Sequence, residues 1–126
     1  MISIGGATAP VTLSTTVERD TFINTIQSIV NTYGFDGIDI DLEGSSLSTT
    51  GGTIAVPTDQ SILNLIYAIK KIQQNYYAQH SKHLMLTMAP ETAGVQGGMS
   101  AYSGIWGAYL PVIEALKDSL YEIEML

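Results

Sequence analysis

Cysteine is absent from this chain of 126 residues, which excludes disulfides and thiolate-bound metal and leaves the redox compartment open. Basic residues are scarce: 5 Lys and Arg stand against 12 Asp and Glu, a net charge of −7. With no basic patch to neutralise phosphates, nucleic acid is excluded as a partner, and anionic membranes are equally unsuited. No apolar run reaches the roughly 18 residues of a membrane span, and no basic-then-apolar leader opens the chain. What the sequence does have is acid, set in a pattern.

The pattern is Asp36-Gly37-Ile38-Asp39-Ile40-Asp41-Leu42-Glu43. Side chains of a strand alternate between its faces, so Asp39, Asp41 and Glu43 share one face while Ile38, Ile40 and Leu42 cover the other and pack against helices. Same-face neighbours lie about 6.6–6.8 Å apart, close enough to lean together and share a proton. Unpaired buried carboxylates lose hydration and like charges repel, so such a stripe persists only in use, and at least one acid is expected to titrate high. Glu43 is the longest of the three and the last before Gly44-Ser45-Ser46, where a parallel strand opens into its C-terminal loop and barrel enzymes build their sites. It is the candidate general acid. Asp36 is off the stripe by parity and reads as structural.

The remaining sequence supplies alternating strands and helices. Met1 to Ile4 reads as a short strand, followed by an amphipathic helix over Val17 to Tyr33 with Phe22, Ile26, Ile29 and Tyr33 on one face. Thr15 with Glu18 forms a capping box, and Gly34 fits the position just past the helix. After the acidic strand, Gly44 to Pro57 reads as a surface loop. A long helix opens near Thr58 or Asp59 with a stripe of Ile62, Leu65, Ile66, Ile69, Ile72 and Tyr76. A strand over His83 to Ala89 stops at Pro90, a Gly-rich loop leads to a helix from Ala108 to Asp118, and Tyr121 to Leu126 begins another strand. The order β-α-β-α-β-α-β calls for an α/β fold with parallel strands and right-handed crossovers. Tyr33, Tyr67 and Tyr76 are expected to be structural.

The acidic motif resembles the fourth-strand motif Asp-Gly-x-Asp-x-Asp-x-Glu of glycoside hydrolase family 18 chitinases, and matches all its fixed positions. Ser3-Ile4-Gly5-Gly6 resembles that family's third-strand Ser-x-Gly-Gly, and Leu86-Thr87-Met88-Ala89-Pro90-Glu91 its fifth-strand segment in bacterial members. The likeness spans nearly the whole chain. It implies about half of a (β/α)₈ barrel, strands three to six, with residues 1–126 a fragment of one catalytic domain. A complete barrel takes about 250 residues. Two open strand edges then imply association with a second copy, as a homo-dimer, or with the missing barrel half.

Carried over residue by residue, the resemblance implies Glu43 as proton donor to the glycosidic oxygen, Asp41 as the group orienting the substrate's acetamido group, and Asp39 sharing a proton with Asp41. Glycosidases usually flank the bond with two carboxylates, about 5–5.5 Å apart when retaining and 6.5–9.5 Å when inverting. Here all the acids rise from one strand, so the nucleophile is expected from the substrate's own 2-acetamido oxygen. The substrate is then chitin or N-acetylglucosamine oligomers, cleaved without metal or cofactor. Export of the parent enzyme, also implied by the resemblance, places a signal upstream of Met1 and the enzyme outside the cell.

Other readings stand beside this one. The motif also serves endo-β-N-acetylglucosaminidases acting on N-glycans, and a non-catalytic sugar-binding half-barrel is a third possibility. A divalent cation on the acids needs ligands from further strands. Trp106 is divided evenly between sugar contact and core filling, while Tyr102 and Tyr109 lean to the core. Met88 and Ala89 can line the cleft under the acetamido group, with a one-residue slip deciding which points inward. Gly5 and Gly6 either admit a sugar closely or supply a turn, and the turn is favoured. His80 and His83 are read as solvated or capping.

Overall fold

In the computed structural model, which describes residues 1–125, the chain runs β1 (Ile2–Gly5), α1 (Thr16–Tyr33), β2 (Gly37–Asp41), α2 (Gln60–His80), β3 (Met85–Met88), a one-turn α3 (Thr92–Val95), α4 (Leu110–Leu116) and β4 (Glu122–Ile123). The strands are parallel and ordered β1-β2-β3-β4. Helix α1 packs on α2, and α2 on α4, so the helices lie side by side against one face of the sheet. A doubly wound sheet reverses strand order and covers both faces; sequential order with one covered face is a segment of a (β/α)₈ barrel. Of the last expected strand, Leu126 lies outside the described residues.

Local chemistry explains the ends of the elements. Thr15 Oγ1 accepts the Glu18 N–H at 3.1 Å and donates to Glu18 Oε1 at 3.0 Å, which starts α1 and satisfies one of its free N–H groups. Gly34 ends the helix with φ +70° and donates its N–H to Val30 O, a left-handed conformation cheap only for glycine. Helix α2 buries the expected stripe, Ile62, Leu65, Ile66, Ile69, Ile72 and Tyr76. Ile38 and Ile40 of β2 are fully buried, as are Leu86 and Met88 of β3; each such side chain contributes about 1.5–3 kcal/mol.

Three expectations need correction. Helix α1 buries Ile23, Ile26 and Val30; of the expected face Ile26 is in the core and Phe22 packs partly buried against it, while Ile29 and Tyr33 turn away. Both sets satisfy helical spacing, and the sheet selects the one aimed at it. Tyr33 lies 72% exposed beyond the sheet, beside Phe35. Tyr67 is also exposed, with the Arg19 guanidinium over its ring. Finally, residues 44–57 are more than surface loop: Ser46, Leu47 and Thr49 are buried. Thr49 exchanges two 2.8 Å backbone bonds with Gly104, clasping the loop after β2 to the one after β3.

Candidate active site

Strand β2 sorts its side chains as the alternation requires. Ile38, Ile40 and Leu42 are buried toward the helices, while Asp39, Asp41 and Glu43 are half-buried on the uncovered face. Register sets their neighbours: Asp39 is flanked by Ser3 of β1 and Thr87 of β3. Ser3 Oγ donates to Asp39 Oδ2 and Thr87 Oγ1 to Asp39 Oδ1, each at 2.7 Å. Both oxygens of the innermost acid therefore accept hydroxyl hydrogen bonds, which fix its orientation. Ser3, Asp39, Thr87 and Ala89 also line an open cleft of about 430 Å³ on this face.

Asp41 and Glu43 differ from Asp39. Asp41 Oδ1 is buried with no hydrogen-bond partner among the described residues, a costly state for a carboxylate oxygen unless a ligand completes it. Burial raises Glu43 above its ordinary carboxylate range, helped by the charges of Asp41 and Glu91 and by a hydrogen bond with Asp41. The acids that act on one another are thus the outer two, with Asp41 raising Glu43. Such a pair suits proton donation, since a carboxyl raised by its surroundings holds a proton to higher pH than a free one.

The backbone around these acids is held from three sides. Gly5 has φ +114°, and a β-carbon there would stand 2.8 Å from the Asp41 carbonyl carbon; Gly6 N–H donates to Asp41 O at 2.6 Å. The favoured turn reading of these glycines is met, and the close approach at Gly5 is to β2. Tyr109, buried, accepts the Leu42 N–H at 2.8 Å and donates its hydroxyl to Leu42 O at 3.0 Å. Burial raises its pKa, so the hydroxyl remains a donor. Glu91 Oε1 accepts the Gly44 N–H at 2.5 Å.

The other sequence candidates divide. Met88 pairs in register with Ile40 and its side chain is fully buried among helix-facing residues, yet the residue stands with Ala89 in the wall of the same cleft. Strand parity turns the Ala89 side chain, half-buried, to the acid side. Trp106 is 47% exposed and lies against Gly97, where any β-carbon would strike its ring. Tyr109 is core, as expected, but its hydroxyl reaches the site. His80 and His83 stack on Tyr76 and Tyr77, and Asp36 is exposed ahead of β2. Among the described residues, no group of three or more His, Asp or Glu side chains is arranged to hold a metal ion. Sequence reading missed Ser3, Thr87, Tyr109 and Glu91 as site residues. Only Glu91, a polar residue just past the C-terminal end of a strand, carried a usable signal.

Comparison with known proteins is consistent with this geometry. The family profile described as "Glycosyl hydrolases family 18" matches residues 1–117. Chitinase Chi52 of Paenibacillus xylanexedens is 47% identical over 122 residues, covering 95% of this chain and 23% of that protein. Chitinase D of Niallia circulans is 48% identical over 123 residues, covering 95% and 23%. The crystal structure of a family GH18 chitinase from Chromobacterium violaceum superposes with a TM-score of 0.76 at 40% identity, covering 98% of this chain and 30% of that one. The chain spans about a quarter of the length of the curated relatives it matches.

Proposed function

The chain belongs to the glycosyl hydrolases of family 18, and from that premise we propose that it carries the acid ladder of a chitinase, cleaving β-1,4 links between N-acetylglucosamine units with retention. The observation that carries this reading is the outer acid pair, with Glu43 raised by burial and by Asp41, and Asp41 Oδ1 left without a partner.

In the proposed reaction, protonated Glu43 gives its proton to the glycosidic oxygen as the bond from that oxygen to the anomeric carbon breaks. The acetamido carbonyl oxygen of the same sugar forms the new bond to that carbon from the opposite face, giving a cyclic, positively charged oxazolinium. Asp41 Oδ1 accepts the acetamido N–H, aligning the nucleophile, and its charge stabilises the cation. Glu43, now a carboxylate, takes a proton from water as that water attacks the anomeric carbon and the ring opens, restoring the starting configuration. Asp39, fixed by Ser3 and Thr87, has lone pairs left to share a proton with Asp41. Ala89 borders the cleft beneath the acetamido group, and the exposed Trp106 ring offers a flat apolar face to a sugar.

Residues 1–126 form part of one such catalytic domain in this reading, and the uncovered sheet face joins the remaining strands or a second copy; molar mass by light scattering separates these. Chitin is insoluble, so the parent enzyme works outside the cell. The test is hydrolysis of fluorogenic chitobioside against cellobioside with the same leaving group. Cleavage of chitobioside alone is expected, and equal rates would remove the acetamido group from the mechanism.

A further inference from the structure

Glu91 is an acid placed where acids are already crowded. It approaches Glu43 closely enough to oppose its ionisation, in a chain of net charge −7. A neutral Gln at the same position would accept the Gly44 N–H without that repulsion. As a plain backbone tie the carboxylate is therefore the poorer choice, and its charge calls for a use.

The two residues flanking Glu43 are both held by side chains from the segment that follows β3. On one side, Tyr109 takes the Leu42 N–H and gives its hydroxyl to the Leu42 carbonyl. On the other, Glu91 takes the Gly44 N–H. Residue 43 lies two positions past the last residue of β2, so no strand ladder fixes it; its carbonyl accepts the Ser46 N–H, and its side chain swings with its backbone unless its neighbours are also tied. Rate falls steeply when a reacting group is displaced by about 1 Å.

We infer that Glu91 is a positioning residue for Glu43, clamping the backbone beyond it through Gly44 while Tyr109 clamps the backbone before it through Leu42. The inference rests on Glu43 being the proton donor. Its carboxylate has a second effect. The charged groups facing Glu43 are Asp41 at the end of β2 and Glu91 from the segment after β3; Asp39 lies four residues before Glu43, and burial raises the Tyr109 hydroxyl so that it stays protonated. Removing the Glu91 charge removes one of the neighbouring charges that raise Glu43, so the Glu43 titration midpoint falls. Position and proton affinity are then set by one side chain, and Glu91→Gln separates them.

The experiment is a carboxyl NMR titration of Glu43, with amide hydrogen exchange at Gly44, in wild type, Glu91→Gln and Glu91→Ala. Both variants are expected to lower the Glu43 midpoint. Gly44 exchange stays near wild type in the Gln variant, which keeps an acceptor, and rises about three- to tenfold in the Ala variant, which has none. An unchanged midpoint in both variants, or unchanged Gly44 exchange in Glu91→Ala, overturns the inference. Turnover of the chitobioside adds a separate reading, because the basic limb of kcat/KM should move down with the midpoint in Glu91→Gln. A limb that stays while the NMR midpoint moves leaves the role of Glu91 intact and refutes Glu43 as the acid.

Discussion

Substituting Gly5 by Ala tests whether the first strand holds the acid ladder in place. The backbone at Gly5 has φ +114°, a region that costs an L-residue about 1–3 kcal/mol. The added methyl would stand 2.8 Å from the Asp41 carbonyl carbon and 3.1 Å from a Leu42 methyl, where ordinary contact is 3.4–4 Å. The Asp41 carbonyl oxygen would stand closer still, so strands β1 and β2 must separate by more than 0.6 Å, and the Asp41 atoms are backbone that cannot swing aside as the Leu42 methyl can. Overpacking of this kind adds about 1–3 kcal/mol, for a total loss of about 2–5 kcal/mol. The Gly6-to-Asp41 hydrogen bond goes with it, and a shift of that size at Asp41 lowers turnover far more than the stability loss would in buffer. Urea unfolding measures the first effect as a lower midpoint at unchanged slope, and chitobioside hydrolysis below the transition measures the second. A Gly5→Ala variant within about 0.5 kcal/mol of wild type, with unaltered kcat, would refute the coupling of this turn to the acids.

Three further predictions follow from buried or charged partners. Glu43 is raised in the folded state, so its contribution is fully present below the unfolded pKa of about 4.3 and is lost as pH rises through the higher folded value. Glu43→Gln should therefore melt higher than wild type at pH 7, with the gap closing in acid; a variant that melts lower at pH 7 contradicts the assignment. Asp59 is lowered, first by its hydrogen bond from Thr50 Oγ1, and also accepts from the Thr50 N–H and Thr49 Oγ1. Its contribution is present above about pH 3.9 and lost as pH falls through the lower folded value. Asp59→Ala should cost about 1–2 kcal/mol at neutral pH after allowing for solvent, and less in acid, as read by thermal melts across pH. Met88→Ala should cost about 2–4 kcal/mol in urea unfolding with KM unchanged, whereas a raised KM at wild-type stability would turn the Met88 side chain into the cleft.

How much of this could be read from the sequence depends on the range of the interaction. The acid stripe, the Thr15 cap, Gly34 and the α2 stripe are encoded by residues a few positions apart, and each stands in the structure as the spacing requires. Helix α1 shows the limit of spacing, because the period fixes Ile26 in the core but not the exact rotation of the face, which the sheet sets to bury Ile23 and Val30 rather than Ile29 and Tyr33. Met88 and Ala89 show another, since parity fixes that they oppose each other but not which one turns inward. Ser3, Thr87 and Tyr109 are joined to β2 across 36, 48 and 67 residues, and a hydroxyl that completes a distant partner leaves no periodic trace. The half-buried state of the acids also differs from full burial, for the face they occupy is uncovered here.

The central claim is that Glu43 delivers the proton, and the most direct measurement is kcat for chitobioside hydrolysis by Glu43→Gln beside its affinity for an N-acetylglucosamine oligomer. General acid catalysis contributes about 10²–10⁴-fold, so the account predicts a fall in kcat of that size with binding held within a few-fold. A Gln variant that keeps more than about a tenth of the wild-type rate contradicts it.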